Sequence, residues 1–588
     1  MRGLFTGRFQ GYSLKHFQKD LLAGVIVGVI AIPLAMAFAI ASGVKPEYGI
    51  YTTCIAGALI SLFGGSKYQI GGPTGAFIPI LFGIMITYGY ENLLVAGLLA
   101  GIMLCLMGMF RLGSLIAFIP RPVIVGFTSG IAVIIFAGQI ASFLGLTGVT
   151  KHEGFIDNLK EIAIHIDTIN LYSIAIALIC FVIMIVTPKF LPKVPGSLLG
   201  LIISSAIASL FFSEHVPTIG TAFGTISSTP PHFHLPAMTW EKIKQLLAPA
   251  FVIAILGAIE SLLSAVVADG MTNSKHNSNR ELIGQGIANI ITPLFGGIPA
   301  TGAIARTATN IKSGAVSPIS GVVHGVFVFV TLLLLAPYAS AIPLASMAPV
   351  LMLVAWNMSE RKHFAHILTL KTGDSLVLLV TFLLTVFTSL TTAVEVGLVL
   401  AVILFAKRMS EMLVIAKVLP DHSQKHEKVL PHVVNKAHDC PQISMFTIEG
   451  PLFFGAAQTF EQSIMATIHS RPKVLILRLG KVPFMDTTGE SYFKSIVQHF
   501  TKQGGVLLVS GAAPELKETV KKTDLYDEIG EEHFFDHTGD ALNYALAHIE
   551  TTQCTGCKHF AFHECAQLSH QVEEKQGAKT NETSDKRI

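Results

Sequence analysis

Charge is scarce in this sequence. Only 13% of its 588 residues are Asp, Glu, Lys or Arg, while 51% are hydrophobic and the mean hydropathy is +0.60. A soluble domain carries about 25% charged residues. A chain this poor in charge cannot keep its whole surface wet, so most of it is expected to face lipid. The net charge is only +3, too little to hold a polyanion, which argues against a nucleic-acid partner. Cysteine is sparse too, with 7 in the chain. Cys54, Cys105 and Cys180 lie in apolar runs and read as small core residues. Cys440, Cys554, Cys557 and Cys565 lie in the polar C-terminal part, with no disulfide framework, which fits a reducing compartment. No nucleophile–base pair and no complete metal set stands out, so an enzyme is the least supported class.

Apolar runs fill the first two thirds. A helix needs roughly 20 apolar residues to cross the hydrocarbon core. Runs near that size recur over 21–44, 50–66, 68–90, 92–110, 122–150, 168–188, 194–213, 282–305 and 313–359, the last long enough for two helices. The stretch 245–268 is interrupted only by Glu260, and 375–406 only by Glu395. Split at Gly and Pro, these give about 14 membrane segments, some of them half-helices. No cleavable signal peptide is expected: the first apolar run follows Lys15 and Lys19, is too long for an h-region, and precedes many more spans. With the N-terminus inside, the basic residues fall in alternate loops. The longer loops 151–167 and 213–244 then face outside, and the chain returns to the cytoplasm at Lys407 and Arg408.

The sequence echoes itself. Phe63-Gly64-Gly65 precedes Pro73-Thr74-Gly75-Ala76, and Phe295-Gly296-Gly297 precedes Pro299-Ala300-Thr301-Gly302-Ala303. Each opens an apolar segment too rich in Gly and Pro for a plain helix. Interrupted segments at matching places in two halves point to a transporter's binding site. A helix that begins inside the membrane leaves N–H groups unpaired, and each helix dipole adds roughly half a positive charge at that end. Two such ends face to face would hold an anion.

Two charged residues stand by these segments. Arg306 lies one helical turn past Gly302 and would supply fixed positive charge; its structural alternative is a carboxylate or carbonyl partner. Glu260 is the lone charge between Lys244 and Asp269. Burial disfavours a charged carboxylate, so Glu260 is a candidate proton carrier, or a sodium ligand with Ser261 or Ser264. A plain salt bridge to Arg306 is the alternative.

From about Pro441 the pattern becomes α/β. Strands are predicted over 474–479 and 506–510, with helices over 490–503 and 513–522. Asp486-Thr487-Thr488-Gly489 opens the first helix, as a cap or as a phospho-acceptor or ligand site. Cys554-x2-Cys557, His563 and Cys565 follow, with His559 beside them. They fit a zinc or redox site, or a flexible tail, since a second Cys-x-x-Cys pair is missing. The stretch 573–588 is polar and expected to be disordered.

These features together resemble the sulfate permease family (solute carrier family 26). The motifs are Ile32-Pro33-Leu34-Ala35-Met36-Ala37, Gly49-Ile50-Tyr51, Gly72-Pro73-Thr74-Gly75-Ala76, Gly126-Phe127-Thr128-Ser129-Gly130, Gly257-Ala258-Ile259-Glu260-Ser261-Leu262-Leu263, the run from Gly296 to Arg306, and Gly450-Pro451-Leu452-Phe453-Phe454. The resemblance spans nearly the whole chain. It implies a polytopic α-helical protein with a 7+7 inverted repeat and a C-terminal cytoplasmic α/β STAS domain. The division implied is an N-terminus (1–15), a transport domain (16–412, repeats about 16–235 and 236–412), a linker (413–440), the STAS domain (441–550) and a Cys/His-containing tail (551–588). Substrate contacts carry over to Phe38, Thr74, Gly75, Ala76, Gly302, Ala303, Ile304 and Arg306, and ion coupling to Glu260 with Ser264. Asp486, Thr487 and Thr488 become the regulatory turn, and Cys554, Cys557, His563 and Cys565 the metal candidates.

The resemblance also implies a function: a homodimeric secondary transporter of the bacterial inner membrane working by an elevator motion. Leu256–Leu263, 314–320 and 347–360 look closest to the proton-coupled C4-dicarboxylate branch. Sulfate–proton symport, sodium-coupled bicarbonate uptake and an anion channel are the alternatives. No cofactor is expected beyond H+ or Na+ as coupling ion and zinc at the tail. A cytoplasmic protein partner would meet the STAS domain. The sequence departs from the family at Ser389, where members often carry an acid, at Glu395, and in the cysteine-bearing end.

Overall fold

The computed structural model describes residues 12–114, 119–191, 194–388, 390–420, 429–430, 439–468, 471–555, 557–559, 561–562, 564–565 and 568. The chain forms two compact units, Met1–Ala401 and Val402–Ile588.

The first unit is helical. Seven segments run Leu14–Ala41, Pro46–Phe63, Gly75–Tyr88, Tyr90–Met109, Arg121–Leu144, Leu171–Phe190 and Gly196–Phe211. Six more run Trp240–Thr272, Ser278–Ile291, Ile304–Lys312, Ile319–Ala339, Leu344–Met358 and Gly373–Phe387, and a seventh, Leu390–Glu411, begins in this unit and ends in the next. Among the described residues, six helices are long and apolar enough to cross a bilayer by length and composition. Gly75–Tyr88 and Ile304–Lys312 stand third in each set, at matching places. Each is preceded by a two-residue strand, β1 (Gly71–Gly72) in the first set and β2 (Thr301–Gly302) in the second. The long apolar run 313–359 divides into two helices at Ser340–Pro343, where a proline ends the turn.

The two halves interleave. Helices Leu14–Ala41, Pro46–Phe63 and Tyr90–Met109 pack on Trp240–Thr272, Ser278–Ile291 and Ile319–Ala339, which makes a core block. Arg121–Gly138 and Leu171–Phe190 pack on Leu344–Met358, and Arg121–Gly138 also on Gly373–Phe387, which makes a second, gate block. Small residues allow the closest contact in the core block. A Cβ on Gly286 would stand 2.6 Å from the Gly101 carbonyl oxygen, and one on Gly101 2.8 Å from the Gly286 carbonyl oxygen. Without a hydrophobic drive between helices in lipid, such close backbone packing is what holds them.

Two buried carboxylates brace the turns around the interrupted segments. Asp20 accepts bonds from the Val316 and Ser317 amides (2.7 and 3.1 Å) and from the Ser317 hydroxyl. Glu281 accepts from the Gly65 and Ser66 amides (2.7 and 3.1 Å). Both residues are fully buried, and a buried carboxylate needs this many donors to stay.

The second unit is α/β. Its strands are β3 (Val414–Lys417), β4 (Leu419–Pro420), β5 (Val429–Leu430), β6 (Ile443–Glu449), β7 (Val474–Lys481), β8 (Val506–Ser510) and β9 (Phe534–Phe535). The sheet order is β3-β6-β7-β8-β9, parallel except for the antiparallel edge strand β3. The central strands β6, β7 and β8 are mostly buried on both faces, so they read as apolar runs rather than alternations. Phe446, Leu475, Leu477 and Val509 point to one face, under the helices that carry Phe460 and Phe493. Ile443, Val474, Ile476 and Leu508 point to the other, against Ala541 and Ala545.

Two boundaries shift. The segment 413–440, expected as a linker, contributes β3 to the sheet, because Val414–Lys417 pairs with β6 from Phe446 to Glu449. The tail expected beyond 551 does not leave the domain at once: Ala561 and Phe562 are buried in the second face of the same sheet. Ser389, His563 and 573–588 lie outside the described residues.

Candidate functional site

The two interrupted segments meet. β1 pairs antiparallel with β2, Gly71 opposite Gly302 and Gly72 opposite Thr301. Each two-residue strand is followed at once by a half-helix, Gly75–Tyr88 from the first half and Ile304–Lys312 from the second. The pairing satisfies backbone groups that hydrocarbon would leave bare. It also sets the two helix starts against one cavity.

Neither start is capped by a side chain. Ala303, at the second, has no acceptor to offer. Thr74, at the first, turns its hydroxyl away from the helix and donates it to Glu260 Oε2 at 2.9 Å. The opening N–H groups of both half-helices are therefore free of side-chain acceptors, which is what an anion requires of them.

A cavity of about 520 Å³ lies here, within the first unit. Phe38, Thr74, Gly75, Ala76, Gly302, Ala303, Ile304, Arg306 and Glu260 all line it. The gate block supplies Val123, Phe127, Thr128, Val354 and Met358. Arg306 is 4% exposed; its Nη2 donates to the Pro73 carbonyl and its Nη1 is buried with no hydrogen-bond partner among the described residues. No ion pair joins it to Glu260 among the described residues. The guanidinium lies over Gly72, where a Cβ would stand 2.5 Å from Nη1 and the φ is +149°. Only glycine allows both.

The second half-helix is held from behind. Asn289 accepts from the Ala300 amide and donates to the Ala300 carbonyl, each at 2.8 Å. Thr301 donates to the Gly257 carbonyl (3.0 Å), and Gln69 to the Ser261 carbonyl (3.1 Å). These bonds tie the Glu260 helix to the strand pair.

Ser264, expected beside Glu260 at the coupling site, faces elsewhere. It is fully buried and bonds to the Thr307 hydroxyl at 3.1 Å, which in turn accepts from the Ile70 amide. Ser261 bonds back to the Gly257 carbonyl at 2.6 Å. Both hydroxyls are spent on backbone and core, so Glu260 enters the cavity without them. Asn357, Glu360 and Glu395 also line the cavity, and of these the sequence singled out only Glu395. Glu395 gave a signal, as a lone carboxylate in an apolar run; Glu360 gave none, since its place follows from a left-handed backbone turn (φ +41°) at the start of Arg361–Thr369.

In the second unit Asp486 caps Thr487–Lys502. Its Oδ1 accepts from the Gly489 amide (2.7 Å) and its Oδ2 from the Phe454 amide (3.0 Å). Thr487 is exposed and Thr488 half-buried. Among the described residues no three His, Cys, Asp or Glu side chains are grouped closely enough to hold an ion as placed.

The chain matches known proteins along its length. The sulfate permease family model covers residues 17–381, and a STAS domain model covers 436–541. YvdB of Bacillus subtilis (strain 168), provisionally named a sulfate transporter, is 56% identical over 91% of this chain and 98% of its own. The bicarbonate transporter BicA of Picosynechococcus sp. (strain ATCC 27264 / PCC 7002 / PR-6) is 28% identical over 91% of this chain and 96% of its own. The fold matches murine Slc26a9, an anion transporter solved in the inward-facing state, with a TM-score of 0.83 at 19% identity, over 92% of this chain and 93% of that one. The interrupted-helix pair, the cavity it opens on and these matches agree: the chain belongs to the sulfate permease family of membrane anion transporters, with a C-terminal STAS domain.

Proposed function

We propose that this transporter takes up small dianions together with a proton carried by Glu260. The observation that carries the reading is the Thr74–Glu260 hydrogen bond, which joins the only carboxylate of the Trp240–Thr272 midsection to the start of the first half-helix. Charge balance supports a dianion. Arg306 brings one positive charge, and two helix starts bring roughly half a charge each. Of the three carboxylates that line the cavity among the described residues, Glu260 is the one bonded to a half-helix start; counted with Arg306 and the two starts alone, its protonated form leaves roughly two positive charges for the anion and its ionised form roughly one. A dianion then loads best with the proton; the site with its load is then neutral, while the cargo of dianion and proton carries one net negative charge.

Within that class the motif resemblance favours C4-dicarboxylates such as succinate and fumarate. The provisional name of the 56% relative favours sulfate as the second reading. A monoanion such as bicarbonate would load against ionised Glu260 and need no proton. The core block bearing both half-helices moves past the gate block as an elevator. Alternation of basic residues along the loops supports cytoplasmic termini in a bacterial inner membrane, and the resemblance supports a homodimer with a cytoplasmic partner for the STAS domain. Exposed Thr487 beside the Asp486 cap is the phospho-acceptor of that turn.

The test is uptake of labelled succinate, fumarate, sulfate and bicarbonate into proteoliposomes, at acidic and alkaline outside pH, with and without sodium. Dianion uptake that rises as outside pH falls and ignores sodium is expected. Sodium-driven bicarbonate uptake alone would refute it, and unitary currents in planar bilayers would make the protein a channel.

A further inference from the structure

Gly302 meets a side chain that does not line the cavity. A Cβ at this position would stand 1.6 Å from Gln69 Nε2 and 2.6 Å from Gln69 Cδ. The terminal amide of Gln69 therefore fills the space that any larger residue at 302 would claim. The φ of Gly302 is not positive, so this close approach, and not backbone conformation, is what requires glycine here. Gln69 is 2% exposed and lies in the chain just before β1.

The backbone around Gln69 is fixed. Its carbonyl accepts from the Ser61 hydroxyl at 2.9 Å. The next residue, Ile70, accepts from the Ala303 amide at 2.8 Å and donates its own amide to the Thr307 hydroxyl at 3.1 Å. The side chain makes one bond, from Nε2 to the Ser261 carbonyl at 3.1 Å. Its Oε1 is buried with no hydrogen-bond partner among the described residues. A buried acceptor left unpaired costs free energy, and an apolar side chain of the same length would avoid that cost. Packing alone does not explain a glutamine here; the bond to Ser261 does.

That bond has a counterpart from the other half. Thr301, in β2, donates to the Gly257 carbonyl at 3.0 Å. Gly257 and Ser261 are four residues apart and so lie on one face of helix Trp240–Thr272, one turn from each other. Thr74, just past β1, holds Glu260 Oε2 at 2.9 Å. Three side chains from the two crossing segments thus grip the single turn 257–261. A shift of the strand pair is passed to the carboxylate through them.

We propose that Gln69 is a positioning residue, seated in the notch that Gly302 leaves, which sets Glu260 against the two half-helix starts. It touches neither the anion nor the proton. The consequence for Glu260 rests on the proton-carrier reading above; the seating of Gln69 on Gly302 does not.

The test has two arms on the full-length protein. The first is thermal unfolding in detergent of Gly302→Ala, Gln69→Ala and the double variant. Gly302→Ala should lower the midpoint, and Gln69→Ala should restore at least about half of that loss, as expected for residues in direct contact. The second is uptake of labelled succinate and labelled sulfate into proteoliposomes, from acidic to alkaline outside pH, in the wild type, Gln69→Met and Glu260→Gln. Methionine keeps the length of the side chain and removes both the donor and the unpaired acceptor. The pH of half-maximal uptake in Gln69→Met should be displaced by about half a unit or more, the scale of one lost hydrogen bond. Losses that simply add in the double variant would overturn the seating. A wild-type pH profile in Gln69→Met, beside a lost one in Glu260→Gln, would overturn the positioning role and leave the proton carrier standing. A wild type whose uptake ignores pH would instead refute the proton carrier, and the unfolding arm would still decide the seating.

Discussion

Arg306 gives Nη2 to the Pro73 carbonyl and keeps Nη1 buried and, among the described residues, without a hydrogen-bond partner. A buried donor left in that state costs free energy that an anion recovers on binding. Truncating one partner of such a charge pair costs about 2 kcal/mol or more. Arg306→Ala should therefore weaken anion binding by roughly thirty-fold or more, measured by scintillation proximity on the purified protein. Gly72 makes the position of that guanidinium possible. Gly72→Ala puts a methyl 2.5 Å from Nη1 in its present place, so binding should fall at least about tenfold, since displaced clamps of this kind lose that much. The same assay checks it, with thermal unfolding to confirm the fold. Glu260→Gln keeps a partner for Thr74 but carries no titrating proton; it should bind the anion and lose the pH dependence of uptake. A glutamine variant with unchanged pH dependence would leave the proton with another group, and Glu395 is then the candidate lining the same cavity.

The elements explain which of these residues were legible. Thr74, Gly302 and Arg306 stood out because Gly and Pro broke two apolar runs at matching places, and the fold joins those breaks as β1 and β2. Glu260 stood out as a lone charge. Ser264 misled: helical spacing places it one turn from Glu260, but the Thr307 hydroxyl competes for it, and a one-dimensional pattern cannot show a partner 43 residues away. Asp20 and Glu281 gave no signal in the sequence, because each is the acceptor of a remote turn. The strand β3 was hidden because Val414–Lys417 follows a membrane helix and has only four residues. Cap chemistry was readable directly, since Asp486 accepts from the Gly489 amide as its place before Thr-Thr-Gly suggests. Asp486→Ala should cost about 1 kcal/mol locally and speed exchange of the first amides of Thr487–Lys502 several-fold, while Asp486→Asn keeps most of the protection. Hydrogen exchange by mass spectrometry on the full chain reads both.

At the scale of the whole molecule, the interleaving of two halves makes the core and gate blocks, and the candidate cavity is lined by residues of both. An elevator requires these blocks to slide. A disulfide engineered between helices Leu14–Ala41 and Leu344–Met358, which touch across that boundary, should stop uptake in oxidised proteoliposomes and leave anion binding intact; reduction should restore it. Uptake that survives full cross-linking would exclude sliding at this interface. The central claim is that a proton on Glu260 travels with a dianion. Its most direct measurement counts protons and labelled dianions entering the same proteoliposomes, in the wild type and in Glu260→Gln. We predict proton entry that tracks dianion entry in the wild type and none in the glutamine variant; dianion uptake without proton entry in the wild type, or equal proton entry in both, would contradict the account.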